Sequence, residues 1–227
     1  MIKEYLPVSE ELLENNNFNN YKNKNLFYKL TYTFYDKFEE FIRKKKKIKI
    51  LGSEVRNKNF IGLEVGGGES PTRKKYGYIN CDIRNLPEVD IVSSALEINS
   101  HFEPKSVDII YGRHFLEHLT WSEVEEFLIK SKLLLKDNGK IELIVPSFWF
   151  HAIQMFFFKP YSDVFLHALA GLNGWQRDQI KGNYWDIHKS TFNHSIIKNL
   201  SKIYDFKVLF IKSQPKEIHF IFQKVSL

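Results

Sequence analysis

Hydrophobic positions change their period along this chain, and each change predicts a different element. Residues 1–25 carry no period and are rich in asparagine (Asn15, Asn16, Asn17, Asn19, Asn20, Asn23 and Asn25), which reads as a polar segment. Leu26, Leu30, Phe34, Phe38, Phe41 and Ile42 then recur at close to 3.6 residues and predict an amphipathic helix over 26–45. We therefore read residues 1–45 as an N-terminal helical extension. Ile48 to Leu51 fits either a short strand or the end of that helix. From about 46 onward short apolar runs alternate with helical patterns, the signature of an α/β domain. Strands are predicted at Phe60–Val65, Tyr76–Asp82, Val89–Val92, Val107–Tyr111 and Lys140–Val145. A helix is predicted from about Trp121 to Leu135, with Thr120 and Glu123 as a capping box and Asn138-Gly139 as its end. Residues 146–189 read as an irregular, aromatic-rich insertion. Asn193 is placed to cap a last helix through Tyr204. Phe206–Ile211 and Glu217–Gln223 flank a loop too short for a parallel crossover, so they form an antiparallel hairpin. The expected fold is a mostly parallel seven-stranded sheet closed by that C-terminal hairpin.

Composition adds bounds to this picture. The 227 residues suit one large domain with an extension, residues 46–227 forming the main domain. A single cysteine, Cys81, excludes an internal disulfide framework and suits a reducing compartment. No Cys/His cluster announces a zinc site, so no metal is expected. The region Ile141–Phe158 is the most apolar, but Glu142, Pro146, His151 and Gln154 interrupt it, and no signal-peptide stretch opens the chain. These features predict a cytoplasmic protein. The net charge of +6 owes much to Arg43 and Lys44–Lys47. That run reads first as a solvated helix end, and second as a surface for peripheral membrane contact or another anionic partner. No nucleic-acid-binding motif accompanies it, which disfavours nucleic acid as a partner.

The chemistry concentrates at residues 63–82. An apolar strand delivers Glu64, turns through Gly66, Gly67 and Gly68, and leads to a second strand ending at Asp82. Glycines let a backbone pass close to a ligand. Glu64 is placed to meet the ammonium of an amino-acid moiety, and Asp82 to accept from both hydroxyls of a ribose. Ligands of open α/β sheets bind beyond the carboxyl ends of strands, so the two positions agree. The dinucleotide fingerprint G-x-G-x-x-G fails because Pro71 stands where its third glycine belongs, which argues against a nicotinamide cofactor.

In order, the segments Glu64–Ser70, Tyr78–Arg84, Val89–Val92, Ser106–Tyr111, His114–Leu119 and Leu133–Pro146 resemble the class I S-adenosylmethionine-dependent methyltransferases. The set is similar to a bacterial branch found in surface-polysaccharide and glycosyl-modification clusters. It covers about residues 59–225. The resemblance implies a Rossmann-like sheet and S-adenosyl-L-methionine as cofactor. It implies that Glu64, Gly66, Gly67 and Gly68 hold the methionine end and Asp82 the ribose. It places Ser94, Ala95 and Leu96 beside the adenine, with Ser94 where an acidic residue is common. Arg113 and His114 match residues that face both cofactor and acceptor. The chain departs from the pattern in its first crossover, because the ten or so residues between Gly68 and Tyr78 leave no room for a full helix.

Methyl transfer to a hydroxyl needs alignment and a proton acceptor. Histidine suits the second task. His188, in the segment Tyr184–Lys189, and His114, after the fourth strand, are the catalytic candidates, with Asp186 available to orient His188. His118 reads as structural. Phe156, Phe157 and Phe158 read as core, lid packing or an oligomer contact. Trp175, Arg177, Tyr184 and Trp185 mix aromatic and polar character and are candidates for acceptor recognition. The expected activity is methyl transfer to a hydroxyl of a small-molecule or saccharide acceptor. An RNA-directed methyltransferase and a non-catalytic scaffold are the alternatives. Tyr111 to Phe115 lacks the Asn/Asp-Pro-Pro-aromatic segment of amino-directed DNA enzymes. Acceptor and oligomeric state stay open.

Overall fold

The structure is a computed structural model that describes residues 59–160, 162–174, 184–214 and 216–225. The helix predicted over 26–45, the Arg43–Lys47 run and the segment Ile48–Leu51 lie outside them. The chain divides into two compact units, whose described parts are 59–146 with 189–225, and 147–188.

The first unit is a seven-stranded sheet. Its strands are β1 (Gly62–Val65), β2 (Ile79–Asp82), β3 (Ile91–Val92), β4 (Val107–Arg113), β5 (Leu135–Pro146), β6 (Phe206–Ser213) and β7 (Glu217–Lys224). They lie in the order β3-β2-β1-β4-β5-β7-β6. The first five run parallel, and β7 pairs antiparallel with both β5 and β6. The expected mostly parallel sheet with a C-terminal hairpin is therefore present. Helix α1 (Trp121–Leu134) opens with the expected capping box: Glu123 N donates to Thr120 Oγ1 and Thr120 N to Glu123 Oε2. It buries Val124, Phe127, Leu128 and Leu134.

The helix does not run to Asn138-Gly139. Leu135 is already extended and pairs with Val107, while Lys140 pairs with Ile109. Residues 136–139 bulge out between those rungs, with Asn138 at φ 64°. The asparagine-glycine pair thus marks a kink inside β5, because a left-handed residue bends a strand as readily as it ends a helix.

Side chains alternate between two unlike faces. Leu63, Val65, Ile110, Ile141, Leu143, Phe220 and Phe222 form the main core, with α1 and with Ile197 of a last helix (His194–Ile203) capped by Asn193. The opposite face carries a polar rung. Asn80, Glu64, Tyr111 and Glu142 lie side by side across β2, β1, β4 and β5, and all are buried. Arg73 reaches this rung from the β1–β2 connection. Its Nη2 donates to Glu142 Oε1 at 2.8 Å, and its guanidinium lies 4.3 Å from the centre of the Tyr111 ring. His219 Nε2 bonds the same Glu142 oxygen at 2.9 Å.

The second unit overturns an expectation. Residues 146–189 are not irregular throughout: they contain helices α2 (Phe148–Phe157) and α3 (Asp163–Asn173), and we label the last helix of the sheet unit α4. The signals for α3 are a proline break at Pro160 and Ser162, whose Oγ accepts from Phe165 N. On α2, Trp149, Ile153, Phe156 and Phe157 are exposed, so the Phe156-Phe157 pair is not core among the described residues. No helix of the described residues is long and apolar enough to cross a membrane.

Removing one partner from a buried ion pair leaves an uncompensated charge, which typically destabilises by about 3–5 kcal/mol. Arg73→Met is expected to lower the unfolding free energy by about that amount in a urea titration. The double variant Arg73→Met with Glu142→Met should regain most of the loss.

Candidate functional site

The glycine turn follows β1 directly. Gly66 N donates to Cys81 O at 2.8 Å, and Asn80 Nδ2 donates to Gly68 O at 3.0 Å, so the turn is tied at both ends to β2. Gly68 has φ 55°, a conformation glycine adopts without strain. A Cβ on Gly67 would collide with Asn80 Oδ1. The turn therefore needs its glycines, because Phe115, Asn80 and Arg84 occupy the places where side chains on Gly66, Gly67 and Gly68 would begin.

Glu64 and Asp82 sit on the same face of the sheet, since Glu64 pairs with Asn80, two residues before Asp82. Glu64 lies beneath the turn. Its Oε1 accepts from Thr72 N at 2.7 Å and Thr72 Oγ1 at 3.0 Å, and its Oε2 accepts from Arg73 N at 2.7 Å. Glu64 thus anchors the β1–β2 connection, which contains only the short helical turn Lys74–Tyr76. The absence of a full helix there agrees with the ten-residue spacing.

Asp82 is buried at the tip of β2. Its Oδ2 accepts from Gly68 N at 3.0 Å, and its Oδ1 from Arg84 N at 2.9 Å. Arg84 adds two side-chain bonds, Nε to Oδ1 at 3.0 Å and Nη2 to Oδ2 at 3.2 Å. Burial pushes the Asp82 carboxyl up, but the bonds and charge of Arg84 outweigh it and hold the group below its ordinary range. Sequence reasoning missed Arg84 and Asn80. A charged residue two places after a strand-end carboxylate was the available signal for the first. Ser94, Ala95 and Leu96 follow β3 and are half-buried. Ser94 Oγ accepts from Leu96 N at 3.2 Å, shaping a turn beyond the strand tip.

Arg113 and His114 close β4. His114 is held at φ 50°, and both its ring nitrogens meet carboxylates: Nδ1 lies 3.1 Å from Glu117 Oε1 and Nε2 2.8 Å from Glu217 Oε1. Arg113 Nη2 donates to the same Glu217 oxygen at 2.8 Å. Burial works against charging the imidazole, but the two carboxylates prevail and raise His114 to about 9. Burial likewise opposes the Glu217 carboxylate, and the bonds and charges of His114 and Arg113 bring it down to about 2. His114 therefore carries its proton at neutral pH, with both nitrogens engaged. In that state the ring presents two N–H groups to the two carboxylates.

His188 belongs to the other unit. Its Nδ1 lies 3.2 Å from Gly171 O, and its N donates to Asn173 O. A carbonyl only accepts, so Nδ1 carries a hydrogen. The orienting group found is this carbonyl rather than Asp186. Tyr184 and Trp185 are exposed, whereas Trp175 and Arg177 lie outside the described residues.

No family model and no curated protein matches the sequence. Solved structures do match the fold. A Burkholderia thailandensis 1,6-didemethyltoxoflavin-N1-methyltransferase, with bound 1,6-didemethyltoxoflavin and S-adenosylhomocysteine, aligns at a TM-score of 0.52 and 12% identity, covering 73% of this chain and 71% of its own. A SAM-dependent methyltransferase from Archaeoglobus fulgidus aligns at 0.52 and 15% identity, covering 86% and 99%. One described as a putative S-adenosylmethionine-dependent methyltransferase, from Listeria monocytogenes, aligns at 0.53 and 12%, covering 74% and 92%. The chain has the Rossmann-like fold of the S-adenosylmethionine-dependent methyltransferases.

The raised His114 value has a definite sign. Its contribution to stability is complete below the free histidine value of about 6.5 and fades as pH rises through about 9. Thermal midpoints of the protein and of His114→Ala are expected to differ most near pH 6 and to converge above pH 9. Parallel curves would contradict a charged His114 held between Glu117 and Glu217.

Proposed function

We propose that the chain transfers the methyl group of S-adenosyl-L-methionine to a hydroxyl of a small-molecule or saccharide acceptor. The observation that supports this reading best is Asp82, buried at the tip of β2 and bonded to Gly68 N of the glycine turn. A ribose accepted by that carboxylate would lie beside the backbone of the glycine turn. We assign the methionine end to Gly66, Gly67 and Gly68 with Glu64 supporting them from beneath, and the adenine side to Ser94, Ala95 and Leu96. Arg113 and His114 supply fixed positive charge at the end of β4.

When bound, the cofactor supplies an electrophilic methyl on a sulfonium. The protein's part is to align the acceptor with it, and orientation of this kind accounts for roughly 7–11 kcal/mol of a barrier in favourable cases. For the proton we assign His188, the catalytic candidate in the segment Tyr184–Lys189 of the sequence. The saccharide branch and a cytoplasmic location are part of the same reading; they rest on the sequence resemblance and on Cys81.

Two measurements test it. Calorimetric titration with S-adenosylhomocysteine should show binding that Asp82→Ala weakens by about tenfold or more, the scale of hydrogen bonds to a charged group. No binding by the unmodified protein would favour a non-catalytic scaffold. A screen of nucleotide sugars and polysaccharide fragments with labelled S-adenosylmethionine should find an acceptor. His188→Gln should then lower turnover by about 10²–10⁴ with cofactor affinity unchanged. Wild-type turnover would remove His188 from the mechanism.

A further inference from the structure

An ionised carboxylate offers about four acceptor directions, two on each oxygen. The protein itself fills four at Asp82. Oδ1 takes Arg84 N and Arg84 Nε, and Oδ2 takes Gly68 N and Arg84 Nη2. The two backbone bonds are fixed by the strand tip and the glycine turn. The two side-chain bonds come from a single residue whose side chain is 46% exposed. The guanidinium also lies against the turn, since Nη2 would be 2.7 Å from a Cβ on Gly68.

We infer that Arg84 is a self-ligand of the ribose subsite: its guanidinium takes the two bonds that two vicinal ribose hydroxyls would make to Asp82, and it must swing away for the nucleoside to bind. The inference rests on the reading of this cleft as a nucleoside site and deepens it. Arg84 is a gate whose closed form is an internal ion pair. A ligand with two adjacent hydroxyls replaces both lost bonds one for one. A ligand with a single hydroxyl leaves one acceptor direction of a buried carboxylate unfilled. Arg84 is therefore a specificity-determining residue, acting through Asp82 rather than on the reacting atoms. It also makes binding sensitive to ionic strength, because screening weakens the exposed partner of the pair.

The test is isothermal titration of the full chain with S-adenosylhomocysteine, which has no sulfonium charge, at low and high salt. Arg84→Gln is expected to bind about two- to fivefold more tightly than the unmodified protein, the range for an ion pair with one exposed partner. Raising salt should tighten binding to the unmodified protein and narrow that difference. Arg84→Lys, which keeps one charge but loses the fork, should fall between the two. Binding by Arg84→Gln alone would also support the gate. Weaker binding by Arg84→Gln would overturn it, by showing that Arg84 clamps the nucleoside, and would leave the methyltransferase reading intact. Equal affinities with equal salt dependence would overturn it too. No binding by any of the three proteins would overturn both the gate and the cofactor assignment.

Discussion

The carboxylate of Glu64 is the constraint on which the rest of the site depends. It is buried at the end of β1 and takes three hydrogen bonds from Thr72 and Arg73. A crossover of this length cannot hold its shape with a helix, because a helix of useful length does not fit between Gly68 and Ile79. The carboxylate replaces it. By fixing the backbone at Arg73 it directs that side chain across Tyr111 to Glu142, and so fastens the connection to β1, β4 and β5 at once. The glycine turn is then held between this anchor and the Asn80 amide. Its amide at Gly68 points at Asp82 as a result. The buried charge of Glu64 therefore builds the wall behind the glycine turn.

The two candidate histidines show how surroundings divide one residue type into two chemistries. His114 sits between two carboxylates and beside an arginine that shares one of them, so its ring is charged and directional. His188 has a backbone carbonyl at Nδ1, which orients the ring through one N–H. Position near a strand tip alone does not distinguish these roles. The identity of the acceptor does, because a carboxylate stabilises the imidazolium whereas a carbonyl chiefly orients the neutral ring.

Much of this was legible from residue pattern. The seven strands, the capping box of α1, the Asn193 cap and the antiparallel close follow from periodicity and capping chemistry acting locally. The misreadings share a cause. Asn138-Gly139 bends β5 instead of ending α1, since the same left-handed preference serves both and only pairing with Val107 and Ile109 decides. The helices α2 and α3 were hidden because aromatic residues around the whole circumference of α2 leave no polar face to reveal a period. Arg84 and Glu217 escaped for a different reason. The first acts through geometry two residues from its partner. The second lies more than a hundred positions from Arg113 and His114, a separation that only the sheet order bridges.

That order has a consequence for how the protein is made. Strand β7 follows β6 along the chain but lies between it and β5. During synthesis, β6 emerges with no neighbour to pair with, and β5 presents an open edge until β7 arrives. Glu217, at the leading end of β7, is also the counter-charge for Arg113 and His114. A ribosome stalled before residue 217 would therefore hold a nascent chain whose sheet lacks β7 and whose Arg113 and His114 lack the carboxylate they share.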